Sequence, residues 1–86
     1  MQISRVVSDL VTTRRVSSLA NRSLRVVEDH QGNFDVVVDP VGAKPGDYVI
    51  TIGYSAARAA AGNPAITTDL TIAGIIDHWD EERWRN

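Results

Sequence analysis

Short apolar runs with the two-residue period of extended chain recur along this sequence, separated by Gly, Pro, Asp and Asn. Residues 2–13 place Ile3, Val7 and Val11 on one parity and Val6, Leu10 and Thr12 on the other, which predicts a first strand whose pleat changes phase at a bulge. Residues 14–22 read as a polar loop. Leu24-Arg25-Val26-Val27-Glu28 predicts a second strand, and His30-Gln31-Gly32-Asn33 supplies the turn to a third at Phe34–Asp39. The even positions of that strand, Phe34, Val36 and Val38, are apolar and are expected in the core. Asp39-Pro40 ends it, because proline cannot donate to a ladder. Pro45-Gly46-Asp47 marks the next turn, and Tyr48–Ile52 a fourth strand. The stretch GYSAARAAAG, Gly53 to Gly62, then predicts a helix of about two turns, with Ser55 as N-cap and Gly62 just past the C-terminus. Leu70–Ile76 is a fifth strand, apolar on both parities and therefore covered on both faces.

These elements predict a mainly β fold, five short strands curled into a small, partly open barrel like the oligonucleotide/oligosaccharide-binding (OB) fold. The helix falls between strands four and five, whereas in that fold it more usually lies between three and four. Val26-Val27, Val36-Val37-Val38 and Ile75-Ile76 offer more apolar surface than one small barrel interior absorbs, so a subunit interface is expected.

Composition narrows the function. At 86 residues the chain makes one domain, which buries only about 60–65% of the surface of its unfolded chain. It has no cysteine, hence no disulfide or thiolate chemistry, and nothing in it reads as a secretory leader or a membrane span, so the cytoplasm is the expected compartment. A net charge of −2 and a pI near 5.5 disfavour a nucleic acid as obligatory partner, although Arg14 and Arg15 form a local basic spot.

The candidate chemistry is sparse. Ser55 lacks the second glycine of a nucleophile elbow, and its only possible bases, His30 and His78, fall in a turn and after the last strand. No glycines have phosphate-cradle spacing, and two histidines without cysteine make no zinc site, so neither cofactor nor metal is expected. Asp69, Asp77, Asp80, Glu81 and Glu82 could suggest acid/base pairs, but Asp69 reads as a turn cap and the last three as a solvated tail. A single-strand nucleic-acid-binding module, the alternative from the barrel, needs aromatic platforms beside a basic groove. Only Phe34 lies on strands two or three, in the phase assigned to the core.

Three stretches carry a resemblance over essentially the whole chain: "ISRVVSDLVTTRRV", "DPVGAKPGDYVITIGYSAARAAAG" and "TDLTIAGIIDHW". Gly-x-Ser-Ala-x-Arg at Gly53–Arg58, followed by Asp-Leu-x-Ile-x-Gly-Ile-Ile-Asp at Asp69–Asp77, resembles the EutN/CcmL family of bacterial microcompartment shell vertex proteins. The likeness is greatest to those of α-carboxysomes, in particular the B-type paralogue. The resemblance implies a structural, non-enzymatic role: homopentamers of OB-like subunits at the fivefold corners of a shell. Hexameric shell proteins would tile its facets, around RuBisCO and carbonic anhydrase. Direct contact with cargo stays open. It implies a barrel domain at 1–79 with a short tail at 80–86, and an axial pore near Gly53, Tyr54 and Ser55. Ala56, Ala57, Arg58, Ile75 and Ile76 become candidates for the subunit interface, and Arg14, Arg15 and the 40–46 turn for contacts with shell neighbours. Tyr54 stands where many relatives have a small residue. Trp84 lies beyond the matching stretches, and its first reading is a disordered tail end, its second docking onto the barrel or a shell neighbour.

Overall fold

A computed structural model of the chain describes residues 1–19, 21–62 and 68–84, apart from the side chains of Tyr54, Ser55, Arg58 and Arg83. The strands are β1 (Gln2–Leu10), β2 (Leu24–Glu28), β3 (Phe34–Val38), β4 (Tyr48–Gly53) and β5 (Leu70–Ile75), and a helix, α1 (Tyr54–Ala60), follows β4 directly. Single 3₁₀ turns lie at Ser17–Leu19 and Glu81–Arg83. The sheet runs β1-β2-β3-β5-β4 and closes on itself, β4 pairing with β1, so the barrel is closed rather than partly open.

β1 makes closure possible by serving two partners. Its first half, Gln2 to Arg5, pairs with β4, and Arg5 to Leu10 pairs with β2 across a register shift between Val6 and Ser8. This is the bulge that the broken parity predicts, and it bends the strand round the barrel corner. The strand ends at Leu10, short of the expected Thr13, and leaves Val11 in solvent.

Val6, Val27, Val37, Ala43, Val49 and Ile72 fill the interior. Burying each of the larger ones stabilises the fold by about 1.5–3 kcal/mol. Because neighbouring positions on a strand point to opposite faces, Val38 points outward where Val37 points in. Outside the barrel Val38 joins Leu24 and Ala61 in a second cluster, with Leu10 and Leu19 packed against it. The end of α1 and the first 3₁₀ turn thus cover one end of the outer face of β2–β3. Val36 and Phe34, in the same phase as Val38, are left 51% and 63% exposed. The expectation of Phe34 in the core is therefore corrected: the narrow interior is filled from the odd phase of β3, and α1 reaches only the Val38 end.

Trp84 is also corrected, from disordered tail end to a ring docked on its own barrel. It is buried, and its ring meets Tyr48 edge-on at 5.2 Å, as does Trp79, also at 5.2 Å. Asp80, Glu81 and Glu82 between the two tryptophans are exposed. The chain after β5 thus folds back on β4, helped by the Ile76 N–H donating to the Tyr48 carbonyl at 2.8 Å.

Candidate assembly surface

Gly53 is the last residue of β4 and the N-cap of α1, with extended backbone at φ −119° and ψ 176°. Glycine has no side chain to cap the helix, and no side-chain cap occurs among the described residues. The N-cap expected at Ser55 is therefore corrected: strand passes into helix with no intervening turn, and Ser55 becomes the second helical residue. Gly53 lies against the start of β5, where a Cβ would stand 3.4 Å from the Asp69 carbonyl oxygen, an ordinary van der Waals contact. At the other end Gly62 has φ +100°, the left-handed conformation expected of it, and its N–H donates to the Ala59 carbonyl at 3.1 Å.

The alanines sort by face. Ala57 and Ala61, four apart, are buried, while Ala56 and Ala59 are exposed. The Thr71 hydroxyl donates to the Ala57 carbonyl at 2.7 Å, tying α1 to β5. Ala57 thus belongs to the chain's own packing, and of the candidate interface alanines only Ala56 presents a free side chain. The side chains of Tyr54, Ser55 and Arg58 lie outside the described residues. Ile75 is 40% exposed and Ile76 half-buried.

Of the two basic candidates, Arg14 is exposed. Arg15 turns inward and donates to the Thr12 hydroxyl at 3.1 Å and the Arg22 carbonyl at 2.7 Å, so it shapes its own loop. His30 and His78 are both exposed, and no group of three metal-ligating side chains occurs among the described residues. A groove of about 380 Å³ runs between the start of β1, β3 and the strand-to-helix junction, lined by Asp35, Val36, Gly53 and Asp69 among others.

Three aspartates, whose carboxylate roles were missed in the sequence, organise the turns. The Asp39 carboxylate, fully buried, accepts the backbone N–H groups of Val41 and Gly42 at 3.0 Å on Oδ1 and of Ala43 at 2.8 Å on Oδ2. Arg25 Nε lies 3.2 Å from the same Oδ2 and also donates to the Ala43 carbonyl at 3.1 Å. Asp47 repeats the device, accepting the Lys44 N–H at 2.9 Å, and two backbone bonds of 2.8 Å join Gly46 and Asp47 to Val6. Asp29 closes the β2–β3 turn by accepting from the N–H groups of Gln31 and Asn33 at 2.8 and 2.9 Å. The Asn33 N–H bond above all holds its carboxyl below the usual 3.8; burial opposes this, while Gln31, the Asn33 amide and nearby His30 add to it. The signal was present in aspartate followed by glycine three residues on, at Asp29–Gly32 and Asp39–Gly42.

Residues 1–77 match the protein family described as "Ethanolamine utilisation protein EutN/carboxysome". The chain belongs to the EutN/CcmL family. It is 54% identical over 79 residues to carboxysome shell vertex protein CsoS4B of Halothiobacillus neapolitanus, covering 92% of this chain and 98% of that one. The solved structure of CsoS4B from the same organism matches the fold with a TM-score of 0.86 at 52% identity, over 91% of this chain and all of that chain. Carboxysome shell vertex protein CsoS4A of Prochlorococcus marinus is 51% identical over 82 residues, 95% of this chain and 92% of that protein. GrpN, a pentameric microcompartment shell protein from Rhodospirillum rubrum, has a TM-score of 0.78 at 31% identity, with 93% of this chain and 98% of that chain covered. Family membership thus rests on sequence and fold together.

Proposed function

We propose that this chain is an α-carboxysome shell vertex protein of the B type, five copies closing each fivefold corner of a polyhedron whose facets are tiled by hexameric shell proteins. The observation that carries the reading is the identity of 54% and 51% to two carboxysome shell vertex proteins over nearly the full length of both partners. The chain's own surface supports it, because an 86-residue domain that leaves Phe34, Val36, Val41 and Ile75 in solvent has apolar area for another molecule. The role is geometric rather than chemical: a ring of wedge-like subunits supplies the curvature that flat hexamer sheets lack. The protein works inside the bacterial cell, in the shell around RuBisCO and carbonic anhydrase. Gly53, Tyr54 and Ser55, where β4 passes into α1, are the residues we place about the axis, and Ala56, Arg58, Ile75 and Ile76 at or near the contacts between subunits. Arg14 is placed at contacts with shell neighbours.

Exposure of Phe34 on β3 gives the nucleic-acid reading its one supporting feature, an aromatic side chain on the outside of an OB-like barrel. Its setting is acidic, however: Phe34 pairs across the ladder with Glu28 and precedes the exposed Asp35. Phosphates are repelled there rather than drawn in.

Co-expression with a hexameric facet protein of the same shell type tests the vertex reading. Closed polyhedral shells are expected with this chain and open sheets or tubes without it; equal closure in both cases overturns the proposal.

A further inference from the structure

A closed ring of odd number is built from heterologous contacts, so each copy must carry two different patches that fit one another. The exposed large apolar side chains of the barrel fall in two such places. Phe34 and Val36 stand on the outer face at the start of β3; Val41 and Ile75, 44% and 40% exposed, stand at the other end of the barrel, past the end of β3 and at the end of β5. The five residues of β3 hold the two patches on the order of 15 Å apart, so one copy cannot satisfy both by itself. Exposed Val11 and Val16 lie in the loop after β1, which Arg15 ties to Thr12 and to the Arg22 carbonyl rather than a fully buried carboxylate gathering its backbone N–H groups.

We infer that the 40–44 turn of one copy, with Ile75 at the same end of the barrel, seats on the Phe34–Val36 face of the next copy. This rests on the ring-forming reading above. The turn is a rigid knob because three backbone N–H groups converge on the buried Asp39 carboxylate and Arg25 locks that carboxylate from below. A contact surface shaped before binding loses little conformational entropy on docking. Charge points the same way. Lys44, exposed on the knob, is cationic, and Val36 on the receiving face shares its groove with the exposed carboxylates of Asp35 and Asp69. Asp39 and Arg25 are thereby positioning residues for assembly: they touch no neighbour and hold Val41 where it makes contact.

Val41→Glu and Phe34→Glu test the pairing, since both positions are exposed and each variant should keep the far-ultraviolet circular dichroism of the wild type. Each should raise the protomer concentration for half-assembly about a hundredfold and give a monomer where the wild type is a ring. Mixed in equal amounts at high concentration, the variants retain one intact knob and one intact face between them, so a heterodimer of about 19 kDa, twice 9.4 kDa, is expected with no larger ring. A pentameric wild type whose variants remain pentamers overturns the pairing alone, as does a mixture that stays monomeric. A monomeric wild type overturns the vertex reading and the pairing with it.

Discussion

Replacing Asp39 by Asn removes half of what its carboxylate does while leaving the shape nearly unchanged. Oδ1 remains an acceptor for Val41 and Gly42, but the new amide NH₂ in place of Oδ2 faces the Ala43 N–H and the Arg25 guanidinium, donor against donor. A hydrogen bond to a charged group contributes about 1.5–3 kcal/mol, and breaking a buried ion pair costs about 3–5 kcal/mol. Arg25 keeps its contact with Asp9 at 3.4 Å and its bonds to the Ala43 and Leu24 carbonyls, which limits its loss. The expected destabilisation is about 3 kcal/mol, toward the lower end of that range. Urea unfolding at one fixed protomer concentration reads it as a fall in midpoint at constant slope, of order 2–3 M for a chain of this size. Asp39→Ala, which leaves all three N–H groups without their acceptor, should cost at least as much. A loss below about 1 kcal/mol for Asp39→Asn would refute the view that this buried carboxylate holds the turn.

Three further outcomes follow from the same structure. Gly62→Ala should lower the melting temperature by roughly 5 °C, because an L side chain at φ +100° costs about 1–2 kcal/mol; a change within 1 °C by scanning calorimetry would exclude that strain. Asp29 has a folded pKa below its unfolded value, so its contribution is complete above about pH 4 and is lost as pH falls through the folded value. Asp29→Asn should therefore flatten the acid limb of stability measured between pH 2 and 5, and an unchanged slope would count against it. Trp84→Ala should cost about 2–3 kcal/mol and shift Tyr48 and Trp79 toward solvent, seen as a red shift in tryptophan emission; an exposed-tail Trp84 would cost nothing.

How much of this was legible in the sequence depended on whether the signal was local. The strands, the β1 bulge and the Gly62 cap are set by alternation and by glycine's conformational freedom, and each is found at its expected place, with strand ends shifted by one residue in β3, β4 and β5 and by three at the end of β1. The phase of β3 is not a local property. Phe34, Val36, Val37 and Val38 all look like core, and only the diameter of the closed barrel, with the reach of α1, decides that Val37 and Val38 are covered while Phe34 is not. Ser55 failed for a related reason, since a capping serine must be the last extended residue before the helix, and here β4 runs straight into α1 with Gly53 in that place and Ser55 already helical. Trp84 required knowing that the chain after β5 turns back toward Tyr48. Family motifs around Gly53–Arg58 and Asp69–Asp77 named the candidate residues, but the brace of the 40–43 turn, Asp39 with Arg25, joins residues 14 positions apart in chain and only folding brings them together.

Native mass spectrometry of the purified chain at low micromolar concentration tests the central claim most directly. A ring of five copies has a mass of about 47 kDa, five times 9.4 kDa, and should be the main species. A monomer at 9.4 kDa, or a dimer with nothing larger, would contradict the vertex role.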